Sequence, residues 1–272
     1  MANGAGSTVV RRQLGRKLRR LREDAGKTHA DIEAARIASA TKMWRIESGK
    51  AAIKPGDVWA LASLYDVKPE ITSELAKLAA GTFEEGWIEE YAQAVPDWLG
   101  LYAGLEAGSA SVLTYHPELV HGLLQTRDYA YAVIRSDHEL PDEVVEQRLA
   151  FRLERQKAVL GRGQIIAVLG AGALALEVGS RDVMSAQVEH LRALSVSEQA
   201  EIRILPWSAG AHPSMKGAFT ILDFDDPDDP ALVYVETLMG SRYMEQPRQV
   251  DEYGRIFGLL RERAVSVERY EP

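Results

Sequence analysis

The stretch from Lys27 to Lys50 constrains this chain most. Thr28 and Ser39 stand where helix N-caps belong, because a hydroxyl can accept from a backbone N–H that the first helical turn leaves unsatisfied. Asp31, three residues after Thr28, makes a weaker form of the capping box. Gly26 and Gly49 are placed to stop the helices that precede them, since glycine eases the chain out of helical geometry. The pattern predicts two short capped helices joined by a tight turn.

The flanks supply further helices. Leu14, Leu18, Leu21 and Ala25 recur at helical spacing, with Arg16, Lys17, Arg19, Arg20 and Arg22 on the other faces. Ile32 and Ala35 form the buried face of the next helix. A third runs from its cap Ser39 to about Glu47, with Met43 and Ile46 inward, Ala40, Thr41, Trp44 and Arg45 outward and Lys42 at the flank. Pro55 opens a fourth helix that turns Val58, Leu61, Ala62 and Tyr65 inward, and a fifth carries Ile71, Leu75 and Leu78 on one face. The expectation is a flexible tail over residues 1–11 and a compact all-α domain of five helices over residues 12–81.

Charge separates this part from the rest. The net charge is -8, yet residues 1–80 hold 15 Lys and Arg against 9 Asp and Glu, a net of +6. The remainder holds 17 against 31, a net of -14. A basic nucleic-acid module joined to an acidic partner fits that split. The acidic part would repel phosphate and limit non-specific DNA binding. With no cysteine, disulfides, thiolate metal sites and cysteine nucleophiles are excluded. No basic-then-apolar leader and no apolar run of membrane-spanning length occurs, so a soluble, cytoplasmic, nucleoid-associated protein is expected.

A helix-turn-helix in a basic module points to double-stranded DNA. The third helix would lie in the major groove as the recognition helix, from about Ser39 to Glu47. Arg45 is suited to a bidentate contact with guanine. Thr41 can hydrogen-bond a base or offer its methyl to thymine, and Ala40 can make only an apolar contact. Thr28, His29, Lys42 and Lys50 are placed for phosphates, which fix register without reading sequence. Trp44 belongs to the same exposed face, and packing on a sugar or a neighbouring helix suits it better than a base contact. The competing readings are a solvated basic face and a protein-docking module.

Residues 82–272 read as a mixed α/β domain. An aromatic-rich helical stretch runs from Glu84 to about Glu106, broken at Pro96, with Trp87, Tyr91, Trp98 and Tyr102 near one face. Strands are expected over 110–115, 165–169, 201–205, 218–224 and 232–236. Helices are expected over 126–135, after Pro141, through Met184, Val188, Leu191 and Leu194, and through Val250, Tyr253, Phe257, Leu260 and Ala264. The fold class expected for the whole chain is thus α+β multidomain.

Two resemblances follow from these motifs. Residues 12–80, with Lys42-Met43-Trp44-Arg45-Ile46-Glu47-Ser48-Gly49-Lys50 followed by Pro55, Asp57-Val58, Leu61 and Tyr65-Asp66-Val67, resemble the lambda-repressor-like, or xenobiotic-response-element (XRE), helix-turn-helix family in its actinomycete branch. His29 stands where that family commonly has a phosphate-binding glutamine, and Trp44 where a small polar residue is common. From about residue 84 to 266, Pro117 to Thr126 with Tyr129-Ala130, Arg152 to Gln156, Leu205-Pro206, Gly210 to Pro213 and Val233 to Thr237 resemble the C-terminal domain of unknown function of WhiJ-like regulators. His121 replaces a common proline there, and Gly170-Ala171-Gly172 a common acidic stretch. That resemblance implies transcriptional control in an antitoxin-like or developmental setting, often with a small protein encoded nearby. It implies no catalytic residues.

Other chemistry finds little support. Gly170 to Ala175 matches a dinucleotide fingerprint, but the next strand ends in Leu205-Pro206-Trp207 without the acidic residue that would hold a ribose. His116, His121, His138, His190 and His212 lack metal-ligand spacing. The loop Asp225 to Pro230 reads as a solvated turn rather than a cation site. Arg148, Arg152 and Arg155 share a helical face, and Glu143, Glu146 and Glu154 nearby make a salt-bridged surface the first reading. An anion- or partner-binding site is the other.

The chain is therefore expected to be a sequence-specific transcriptional regulator and not an enzyme, without cofactor or metal. It should act as a homodimer on an inverted-repeat operator, with a C-terminal domain that dimerises and senses a ligand or a small partner protein. The alternatives are a small-molecule receptor or enzyme-like domain localised by the helix-turn-helix, and an antitoxin-like module that sequesters a small protein.

Overall fold

The computed structural model describes residues 6–82, 88–91, 93–224, 229–238 and 240–271. The chain divides into two compact units. The first takes in residues 1–90, 101–108 and 226–229, and the second residues 91–100, 109–225 and 230–272. The two short inserts of the first unit could not be read from sequence order, which suggested one cut near residue 82.

Five helices make the first unit's framework: α1 (Gly6–Asp24), α2 (His29–Ala34), α3 (Ala40–Glu47), α4 (Pro55–Leu64) and α5 (Pro69–Gly81). Helix α1 begins inside the segment expected as a tail. Leu14, Leu18, Ile32, Met43, Ile46, Val58, Leu61 and Leu75 close one core. Burying apolar surface of this kind contributes about 25 cal/mol per Å² removed from water, so the inward spacing on each helix is what fixes their arrangement. Two inward assignments are corrected. Ala35 and Ile71 are exposed, and Thr72 and Ala79 join Leu75 on the buried side of α5.

The second unit is built on seven strands among the described residues: β1 (Ser111–His116), β2 (Gln164–Gly170), β3 (Glu201–Leu205), β4 (Phe219–Asp223), β5 (Leu232–Thr237), β6 (Gly240–Met244) and β7 (Val265–Ser266). Their order is β6-β5-β4-β1-β2-β3-β7. Strands β1, β2 and β3 run parallel, and every other neighbouring pair is antiparallel. The parallel crossovers carry α7 (Arg127–Arg135) and α8 (Asp142–Val159), then α9 (Gly172–Ala175) and α10 (Arg181–Val196). Helix α11 (Pro247–Arg263) lays Phe257 and Leu260 on one sheet face, against Tyr115, Ile166, Val168, Phe219, Ile221 and Val233.

Of the aromatic helical stretch expected before residue 106 and broken at Pro96, the part after the proline forms as α6 (Asp97–Ala107), and ahead of it, among the described residues, a 3-10 turn covers Glu89–Tyr91. Trp87 and the side chain of Trp98 lie outside the described residues. The glycines of the dinucleotide-like motif have a packing role. A Cβ on Gly170 would stand 2.5 Å from the Pro117 carbonyl oxygen, and one on Gly172 2.9 Å from it. Helix α9 that follows is only four residues long. Asp229 is buried and pairs within the first unit with Arg12 at 3.2 Å and Arg16 at 3.5 Å, so that end of the acidic loop is not a solvated turn. Residues 225–228 of the loop lie outside the described residues.

Candidate nucleic-acid interface

Both expected caps form. The Thr28 hydroxyl accepts from the Asp31 N–H at 3.3 Å, and the Asp31 carboxylate accepts from the Thr28 N–H at 2.7 Å, a full capping box. The Ser39 hydroxyl accepts from the Lys42 N–H at 3.2 Å. Helix α3 ends where Gly49 takes φ +72°. A Cβ there would also meet the Arg12 Cα at 2.9 Å, so two demands fix this glycine.

Helix α3 is seated against α1 at Gly15, where a Cβ would stand 2.3 Å from the Ile46 carbonyl oxygen. Only a residue without a side chain allows that approach. The seat is completed by Glu47, the last residue of α3. Its carboxylate accepts from Arg22 Nε at 2.7 Å and Nη2 at 3.0 Å, and lies 2.9 Å from His29 Nε2. The hydrogen bonds that Arg22 donates to Glu47 hold its guanidinium above its ordinary pKa. Three elements, α1, α2 and α3, thus meet on one buried carboxylate.

His29, expected on a phosphate, has its Nε2 on Glu47 inside the module, with its side chain 29% exposed. The ring reaches a partner 18 residues away, which helix periodicity does not register. Sequence reading also missed Glu47 itself. It looked like an ordinary acidic residue at a helix end, although its side chain is 4% exposed.

Opposite this seat, α3 turns Thr41, Lys42, Trp44 and Arg45 outward, while Met43 and Ile46 are buried. Ala40, expected outward, is half-buried. Lys42 Nζ lies 3.6 Å from Asp57 at the start of α4, which holds the amine at the helix flank. Trp44 is 53% exposed, and Lys50 Nζ sits 5.0 Å from its ring centroid. The indole is thus covered by a cation, an interaction that favours both groups. Trp59 on α4, 48% exposed, is a second large aromatic that the sequence reading passed over. An outward Arg, Lys, Thr and Trp on one short helix offers charge to phosphates and planar donors to base edges.

The three arginines of α8 belong to the second unit, and the salt-bridged surface expected for them is corrected. Glu146 pairs with Arg127 and Glu154 with Lys157. Arg148 Nε donates to the Ala94 carbonyl at 2.9 Å, Arg152 Nη1 donates to Gln125 Oε1 at 2.7 Å, and Arg155 is buried. Arg152 and Arg155 face inward because α8 packs them over the loop that follows β1. Gln156 joins them there, donating to the carbonyls of Gly122 and Gln125 at 2.8 and 2.9 Å. From α10, the fully buried Gln187 holds the other side of that loop through Leu124 and Thr126.

Among the described residues no group of three or more His, Asp or Glu side chains is placed to hold a metal ion. Among them, too, no helix is long and apolar enough to cross a membrane.

Two family models match the chain. One, described as a helix-turn-helix domain, covers residues 13–75. The other, described as a domain of unknown function (DUF5753), covers residues 99–269. No curated protein and no solved structure matches.

Proposed function

The chain belongs to the DUF5753 family and carries a DNA-binding helix-turn-helix domain ahead of it, and on that premise we propose that it is a sequence-specific transcriptional regulator whose α3 enters the major groove of its operator. The one-sidedness of α3 carries this reading. Met43, Ile46 and Glu47 lock one face into the module, and Thr41, Lys42, Trp44 and Arg45 are presented on the other. Arg45 reads a guanine, and Thr41 supports the neighbouring base. Lys42, Lys50 and Thr28 set the register on phosphates, joined by Ser39 at the helix start.

The motifs quoted above support placing the first domain in the actinomycete XRE branch and the second with WhiJ-like regulators. The second domain acts by binding rather than by catalysis. It brings two chains together on an inverted repeat and senses a small molecule or a small protein encoded nearby. The protein works in the cytoplasm, on the nucleoid.

Selection of sites from a randomised duplex library tests the core of this reading. Arg45→Ala should lose about 1–3 kcal/mol of discrimination at one base pair and relax the preference there. Lys42→Ala should weaken all sites alike and lower the salt slope by about one. Identical site preferences for wild type and Arg45→Ala would overturn the role given to Arg45.

A further inference from the structure

Strand register places an unusual set of polar side chains on the sheet face opposite α11. Thr114, Thr220, Tyr234 and Tyr243 pair in one continuous row across β1, β4, β5 and β6. Side chains alternate along a strand, so His116, two residues beyond Thr114, and Glu236, two beyond Tyr234, lie on that same face one step nearer the strand ends. The Thr114 and Thr220 hydroxyls are 2.9 Å apart and buried, and the Tyr234 and Tyr243 rings are 5.2 Å between centroids. A sheet face covered only for stability would be apolar here, as the α11 face is.

Helix α8 brings Arg152 and Arg155 over this row, and the loop after β1 brings His121 and Gln125. The His116 and His121 rings are 5.0 Å apart, and the Arg155 guanidinium lies against Gly122, 3.2 Å from where a Cβ would be. Exposure is graded. Tyr234, His121, Gln125 and Arg155 are buried, Arg152, His116 and Tyr243 are half-buried, and Glu236 is exposed at the rim. Of the parallel strands only β1 contributes to the site, through His116 at its carboxyl end, and the rest of the row comes from the antiparallel strands β4, β5 and β6.

The charges are held apart. Glu236 and Arg152 each feel the other's field, yet among the described residues no ion pair joins them. Arg152 is drawn instead to the neutral Gln125. Burial keeps both histidines uncharged, His116 with its pKa lowered to about 4. A simple anion on Arg152 would meet the Glu236 carboxylate, and a simple cation on Glu236 would meet two arginines. A molecule with a charge of each sign meets neither penalty.

We propose that this polar face binds a small zwitterion of the amino-acid class, its carboxylate on Arg152, its amine on Glu236 and its carbon chain along the Tyr243 ring. This rests on the reading of the second domain as the sensing part of the regulator. Thermal unfolding of the full chain with glycine, β-alanine, 4-aminobutyrate and 5-aminovalerate measures the spacing between the two charges, with acetate, propionate, butyrate, pentanoate and butylamine as singly charged controls. At least one amino acid should raise the melting temperature above any control. Arg152→Met should weaken that probe about tenfold or more, as loss of a charged hydrogen bond does, and Arg152→Lys should restore part of it. Glu236→Gln, at an exposed position, should bind the amino acid and the matching carboxylate equally. No response from any of the four amino acids, or an unchanged preference in Glu236→Gln, overturns the proposal. Operator affinity read on the same samples separates the two ideas. A probe that stabilises the chain without altering DNA binding leaves the site standing and overturns the sensing role.

Discussion

Burial keeps His116 and His121 neutral, and that has a consequence for acid stability. Loss of hydration, with Arg155 nearby, lowers His116 to about 4, and His121 is lowered too. The folded pKa lies below the unfolded value, so the unfolded chain takes up protons first. The stabilisation is complete above about pH 6.5 and is lost as pH falls toward about 4, worth about 3 kcal/mol for His116. Thermal unfolding of the second unit across that window should show the decline, and His116→Gln should flatten it. Glu47 makes the opposite kind of case. Glu47→Gln leaves Arg22 partly buried beside a neutral partner and should destabilise the first unit by on the order of 3 kcal/mol, seen as faster amide exchange in α3. Neither effect was legible in the sequence. Glu47 and Arg22 are 25 residues apart, and a helix-face pattern marks which side is apolar, not which charged residue crosses into the core.

At the scale of elements, close approach decides more than propensity does. Gly15→Ala would drive a methyl into the Ile46 carbonyl and should cost about 1–3 kcal/mol or more, through separation of α1 and α3, with weakened operator binding as the readout. Helix α10 offers a contrary case. Its C-terminal turn is closed by Gln199 N–H on the Leu194 carbonyl, and Glu198 there takes φ 57°. Glu198→Gly relieves that strain and should raise stability by about 0.5–1 kcal/mol in chemical unfolding. Caps, short helices and five strands were legible because each is written in adjacent residues. Strand β6, Gly240–Met244, was not, because Ser, Arg and Tyr without alternating apolar residues give it no strand signature. Pairing with β5 makes it a strand. The two-residue β7 exists only through its pairing with Ile204 and Arg203.

For the whole molecule, the charge split was the most readable property, and the division into units the least. Segments 101–108 and 226–229 cluster with the first unit although they are remote from it in sequence. No local pattern carries that information. If two chains bind an inverted repeat, half-sites should be one helical turn apart, about 34–36 Å. Inserting half a turn between them should abolish the two-chain complex in a sedimentation measurement while leaving single-site binding intact. The architecture of α3 also bears on how such proteins diverge. Its seat depends on Gly15, Met43, Ile46, Glu47 and Gly49, and its outer face on Thr41, Lys42, Trp44 and Arg45, with no residue shared between the two sets. Operator preference can then drift through exposed substitutions that leave the framework untouched, so descendants of one ancestral gene can acquire separate regulons while each protein still folds the same way.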